Sequence, residues 1–240
     1  METKLSEFNQ NLKTALVMSN KNPYMSINRL AEYLDANSFR RKSIVKNMKA
    51  DKDFMKAYYQ PVYAIIPRYI RNGLDSALLK NAYKKLEAKD PDGTWETRDR
   101  KNSLLALKAL QDIELPDFSD YDFVTDVEKL DKVELSGVTV GIKPELYLRN
   151  KYSDKIGALK SSIQKTEESH LTEKSRQYAA TLIKWAFIEY GYEEKEIDNN
   201  ACISLDVFAK GYSVAPGAYK QKVKDLESAC QEIALWWNVL

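Results

Sequence analysis

Val138–Arg149 reads VTVGIKPELYLR and Lys155–Lys165 reads KIGALKSSIQK. Each run reads as a strand. Read as neighbouring strands, they bring Glu145 on the first close to Lys160 on the second. Side chains alternate faces along a strand, so Ala158, Lys160, Ser162 and Gln164 share one side, and Glu145 is within reach if it faces the same way. The elements around the pair set the expected fold. KVELSGVTVG bends at Gly137. A helix is predicted over Glu173–Tyr190, with Tyr178, Ala179, Leu182, Ile183 and Ala186 on one face and Gly191 as its stop. NNACISLDVFAKGYSV supplies a fourth strand with a hairpin arm, and a last helix runs from Tyr219 to about Trp237. From Asn102 onward the order is helix, three strands, helix, strand, helix, which predicts an α/β layer with a mixed sheet.

Upstream, residues 24–114 carry a helical period throughout, and no strand is expected there. Ser26 is placed to cap a helix whose apolar positions are Ile27, Leu30, Ala31 and Leu34. The turn Asp90–Trp95 (DPDGTW) separates two later helices. Glu114–Asp131 is acidic and loses the period. The chain is therefore expected to be α+β: a basic all-helical region at 1–114, an acidic connector at 115–131, and an α/β domain at 132–240 that takes in a helix near 102–112.

The 240 residues are 44% hydrophobic and 30% charged, a balance suited to a folded core. No apolar run approaches the roughly 20 residues of a membrane span. The opening METKLSEFNQNLK lacks the apolar centre of a signal peptide, so a cytoplasmic location without membrane contact is expected. Cys202 and Cys230 suggest buried thiols rather than a disulfide framework or zinc site. His170 is the single histidine, which excludes a His-rich metal centre; it is expected at the surface. No phosphate-binding glycine loop is present, so nucleotide hydrolysis and dinucleotide chemistry lack support. Net charge is +2 and uneven. Residues 1–114 hold 21 Lys and Arg against 14 Asp and Glu, and residues 115–240 hold 16 against 21.

The element order, with Pro144-Glu145 on one strand and Ala158-Leu159-Lys160 on the next, resembles the PD-(D/E)XK nuclease superfamily over about residues 102–237. The resemblance implies a restriction-endonuclease-like sheet and Mg2+-dependent phosphodiester cleavage. Glu145 would hold the metal and Lys160 would position the attacking water. Magnesium wants several oxygen ligands, and Ala158 stands where the motif places a second acid. Asp206 and Glu134 are the candidates to replace it. Two functions stay open. One is a nucleic-acid-interacting protein with metal-dependent nuclease activity in DNA processing or phage–host conflict. The other is a catalytically inactive nuclease-like module that binds nucleic acid or protein, and Ala158 favours it.

A second candidate surface is the basic stretch Phe39–Lys56. Arg40, Arg41, Lys42, Lys46 and Lys49 are expected to meet phosphates, with Lys52 and Lys56 extending the stripe. The tyrosines beyond it, Tyr58, Tyr59, Tyr63 and Tyr69, are read as helical core, with base stacking as the alternative. Fifteen tyrosines, together with Trp185, Trp236 and Trp237, also suit a protein partner or a homo-oligomer.

Overall fold

The computed structural model describes residues 23–49 and 58–240. Lys52, Lys56 and the N-terminal METKLSEFNQNLK lie outside the described residues. The chain opens with β1 (Tyr24–Ser26), α1 (Ile27–Asp35), α2 (Ser38–Lys49), α3 (Gln60–Arg71), α4 (Ser76–Glu87) and α5 (Thr94–Gln111). It continues with β2 (Tyr121–Val124), β3 (Lys132–Leu135), β4 (Val138–Gly141), β5 (Leu146–Asn150), β6 (Ile156–Ser162), α6 (Glu173–Glu189), β7 (Ile203–Asp206), β8 (Gly211–Val214) and α7 (Lys220–Val239). The fold is α+β, with a helical N-terminal region and a mixed sheet. Among the described residues no helix is long and apolar enough to cross a membrane.

Ser26 caps α1 as its spacing predicts, its Oγ accepting from the Arg29 N–H at 3.4 Å. The turn between β3 and β4 places Ser136 at φ 47° and Gly137 at φ 82°, the left-handed pair that matches the twist of a tight hairpin. Thr172 caps α6, its hydroxyl accepting from the Ser175 N–H at 3.1 Å.

Three strands depart from the sequence expectation. Val138–Arg149 is two strands, because Lys143 sits at φ 41° and Pro144 has no N–H to give a ladder. β4 joins a three-stranded sheet of order β1-β4-β3, and β5 joins a five-stranded sheet of order β2-β5-β6-β7-β8. Glu145 thus precedes β5 rather than lying within a long strand. β1 pairs in parallel with β4, within a region expected to be purely helical. Its three residues are too few to show a period of two. β2 forms inside the expected connector and pairs antiparallel with β5.

The larger sheet separates two apolar cores. Leu146, Leu148, Leu159, Ile203 and Leu205 point to one face and pack with residues of α3, α4 and α5 such as Val62, Ile66, Leu79 and Leu107. Ala158, Ile156 and Cys202 point to the other and share a core with α1, α2, α6, α7 and the small sheet. The helices before residue 114 therefore enclose no core of their own; they divide over the two sides of the sheet. Cys202 and Cys230 are both buried free thiols. Tyr59 and Tyr69 are buried at 9% and 7% exposure, in keeping with a core role. His170 is half-buried rather than exposed, its ring parallel to Phe208 with centroids 6.2 Å apart.

Candidate functional site

β5 and β6 run antiparallel with Leu146 opposite Leu159, which sets Glu145 opposite Lys160. The Glu145 N–H donates to the Leu159 carbonyl at 2.9 Å, so the pairing extends one residue before the strand. The Lys160 Nζ donates to Glu145 Oε1 at 2.7 Å and to the Lys143 carbonyl at 2.7 Å. The Ser161 N–H donates to Glu145 Oε2 at 2.7 Å. Both carboxylate oxygens are therefore engaged by protein donors, at side-chain exposures of 12% for Glu145 and 15% for Lys160. Burial pushes the Glu145 carboxyl above its ordinary range, while Lys160 and then Ser161 pull it down.

Ala158 is wholly buried in the core beneath α6. Asp206 lies on β7 opposite Ser162, and Ser204 lies opposite Lys160, so Asp206 faces the same side of the sheet as Lys160. Its carboxylate is turned to its own surroundings. Oδ2 accepts from the Leu171 N–H at 2.8 Å, and Oδ1 accepts from the N–H groups of Phe208 at 3.1 Å and Ala209 at 2.9 Å. Burial raises its pKa against those amides. Asp206 fixes the turn after β7 and the loop before α6. Glu134 stands on β3 in the other sheet, where it accepts from the Thr139 hydroxyl at 2.6 Å.

These donors do not fit the magnesium ion that the resemblance implies. Glu145 offers one carboxylate already closed by a lysine and an amide, Asp206 is saturated by three amides, and Glu134 belongs to a different sheet. Among the described residues no three His, Cys, Asp or Glu side chains converge in a geometry to hold a metal.

Other groups at the pair carry no motif and could not be picked out by spacing. Asn28 of α1 donates to the Ser161 carbonyl at 2.9 Å, fastening α1 to β6. The Ser162 and Ser204 hydroxyls are buried beside Lys160 without a protein partner. Tyr63 of α3 senses this end of the sheet: after burial, Glu145 is the largest influence raising its phenol pKa, and Asp206 adds to it. The pair opens onto a cleft of 460 Å³ whose lining includes Arg71, Lys129, Asp131, Lys143 and Glu145. Asp131 is the other carboxylate in that lining, and it faces Lys143 at 3.3 Å.

The basic stretch of α2 is mostly engaged within the fold. Arg40 donates to Glu32 at 2.9 Å through Nε and to the Ser169 hydroxyl at 2.7 Å. Glu32 is 6% exposed and also pairs with Arg29. Arg41 donates to the Tyr33 carbonyl at 3.1 Å and pairs with Glu232 at 3.2 Å. Lys42 lies 5.1 Å over the Trp236 ring, and Lys49 donates to the Trp237 carbonyl at 2.7 Å. Lys46 is exposed and makes no ion pair among the described residues. Four of these five cations tie α2 to α1, α7 and the loop before α6, which accounts for charge on a helix that packs against its neighbours.

No family model matches this sequence, and neither curated proteins nor solved structures give a match.

Proposed function

We propose that this protein is a nucleic-acid-interacting module on a PD-(D/E)XK-like sheet that holds its ligand without cleaving it. The observation that carries the reading is the closed Glu145 carboxylate, bonded at 2.7 Å to both Lys160 and the Ser161 N–H at the wall of a cleft with three cations. With Glu145 closed by Lys160, the cations Arg71, Lys129 and Lys143 outnumber the one remaining carboxylate of the cleft, Asp131. Such a surface attracts phosphates, with affinity that falls as salt rises. The resemblance in element order supports the choice of nucleic acid over another anion.

A second reading, a metal-dependent nuclease, draws on Asp131, which shares the cleft with Glu145. Labelled single- and double-stranded DNA and RNA, incubated with the full chain and Mg2+ or Mn2+, separate the two. Retained binding with intact oligonucleotide is the expected result. Cleavage that disappears in Asp131→Asn, an exposed position whose change leaves the core untouched, would replace the binding module with an enzyme.

A further inference from the structure

Exposed cations without a partner among the described residues gather on α3 and α4, while α2 offers Lys46 alone. α3 presents Pro61, Ala64, Arg68 and Arg71 along one exposed stripe, the i, i+3, i+7, i+10 spacing of a helix face. Arg68 lines a groove of 590 Å³ between α3 and α4, where Lys85 and Lys89 form the opposite rim over an apolar floor of Ile65, Leu78 and Leu86. Arg71, one turn further along the same stripe, lines the Glu145 cleft together with Lys129 and Lys143. The two hollows are therefore joined by α3. Arg68, Arg71, Lys85, Lys89 and Lys129 make no ion pair among the described residues, while Lys143 faces Asp131. No carboxylate lines the groove, and the two in the cleft, Asp131 and Glu145, are already paired.

We infer that a nucleic-acid backbone binds along this line, from Lys89 and Lys85 across Arg68 and Arg71 to Lys129 and Lys143, and that α2 is not the contact surface. The inference rests on the nucleic-acid reading above and assigns it a path. An acidic amphipathic peptide is the competing occupant of the groove alone. The extension of unpaired cations around the end of α3 into a second hollow favours a longer polyanion. Long exposed lysine and arginine side chains can follow such a chain with little rearrangement of the fold.

The test compares two charge-matched triple variants of the full chain by fluorescence anisotropy on labelled oligonucleotides over a salt series. Arg68→Glu/Arg71→Glu/Lys85→Glu reverses the path. Lys80→Glu/Lys84→Glu/Lys224→Glu reverses three exposed lysines that line neither hollow. All six positions are exposed, and unchanged circular dichroism and melting temperature confirm the fold. The path variant is expected to bind on the order of tenfold more weakly or worse. Its plot of log affinity against log salt should be shallower by about 2–3, the counterion release of three lost phosphate contacts. The control keeps most of the affinity and the slope. Equal losses in the two variants would overturn the path while leaving nucleic-acid binding in place. Absence of wild-type binding at low salt would overturn both, and binding of a labelled acidic amphipathic peptide in its place would assign the groove to a protein.

Discussion

Lys160→Met tests whether the pair with Glu145 is a structural member of the sheet. The substitution keeps an unbranched stem of similar volume and removes a charge and its N–H donors. The Glu145 carboxylate would keep a single partner, the Ser161 N–H at 2.7 Å, at a side-chain exposure of 12%. Breaking a buried pair from one side costs about 3–5 kcal/mol, chiefly because a charge is left without compensation. At roughly 2–4 °C per kcal/mol for a chain of this size, the melting temperature should fall by about 6–20 °C. Glu145→Gln/Lys160→Met removes both charges and keeps a carbonyl to accept from Ser161. The double variant should recover most of the loss, a coupling of a few kcal/mol in the mutant cycle.

The loss in Lys160→Met should also depend on pH. Burial already raises the Glu145 pKa above 4.5, and Lys160 is the largest influence lowering it. Without the lysine the folded-state pKa climbs further. An acid with a higher pKa in the folded state binds more protons when folded, so stability falls as pH rises from the unfolded pKa to the folded one. The slope reaches about 1.4 kcal/mol per pH unit. Relative to wild type, Lys160→Met should therefore regain stability as pH falls from neutrality toward the ordinary carboxylate range, read from urea and thermal melts. A loss under about 1 kcal/mol, as for exposed ion pairs, or one that does not change with pH would refute the reasoning.

Two further outcomes probe the frame around the pair. In Gly157→Ala the added Cβ would lie 2.3 Å from the Ala201 Cβ and 2.5 Å from its carbonyl carbon, so β6 must shift. The unfolding free energy from urea melts should drop by roughly the 1–3 kcal/mol typical of overpacking, and an unchanged urea midpoint would mean that β6 and the turn at Asn199–Ala201 do not touch. Asp206→Asn replaces one acceptor oxygen by a donor facing backbone N–H groups, at a cost of about 1–3 kcal/mol per donor left unsatisfied. That loss should be the same with and without Mg2+; a magnesium-induced rise in wild-type melting temperature that vanishes in Asp206→Asn would make Asp206 a ligand.

Local signals carried the helices and the Glu145–Lys160 adjacency. Ser26 and Gly191 mark helix ends through chemistry contained in a few residues, and antiparallel pairing follows once two strands are joined by a short link. What stayed hidden depends on distant partners. Lys143 and Pro144 look like part of one strand until the chain turns there and sends β4 and β5 into different sheets. β1 and β2 are three and four residues long, below the length at which alternation is visible. The cations of α2 read as a phosphate-binding stripe because sequence shows charge but not its neutraliser. Arg40 meets Glu32 eight positions away, and Arg41 meets Glu232 at a separation of 191. Asp206 has the residue type of a metal ligand, yet the amides of Leu171, Phe208 and Ala209 determine its role.

The same accounting of donors weighs against magnesium in the cleft and favours the proposed phosphate contact. For a cation to enter, Glu145 must release Lys160 and the Ser161 N–H, and Asp131 must release Lys143. The freed Lys160 then faces the incoming ion as a like charge, and Ala158 supplies no oxygen to share it. A phosphate would leave the Glu145–Lys160 pair intact and would exchange only the exposed contact between Lys143 and Asp131. On the proposed reading it would meet Arg71, Lys129 and Lys143 directly, and Lys143 can turn from Asp131 while both remain exposed, at 67% and 58%. The closed pair beneath still contributes by holding the Lys143 carbonyl through Lys160 at 2.7 Å, which fixes the left-handed bend that projects the Lys143 side chain toward the cleft. On the proposed reading Glu145 and Lys160 would act on the ligand through the backbone they position, and their loss should weaken binding only as far as it loosens that bend.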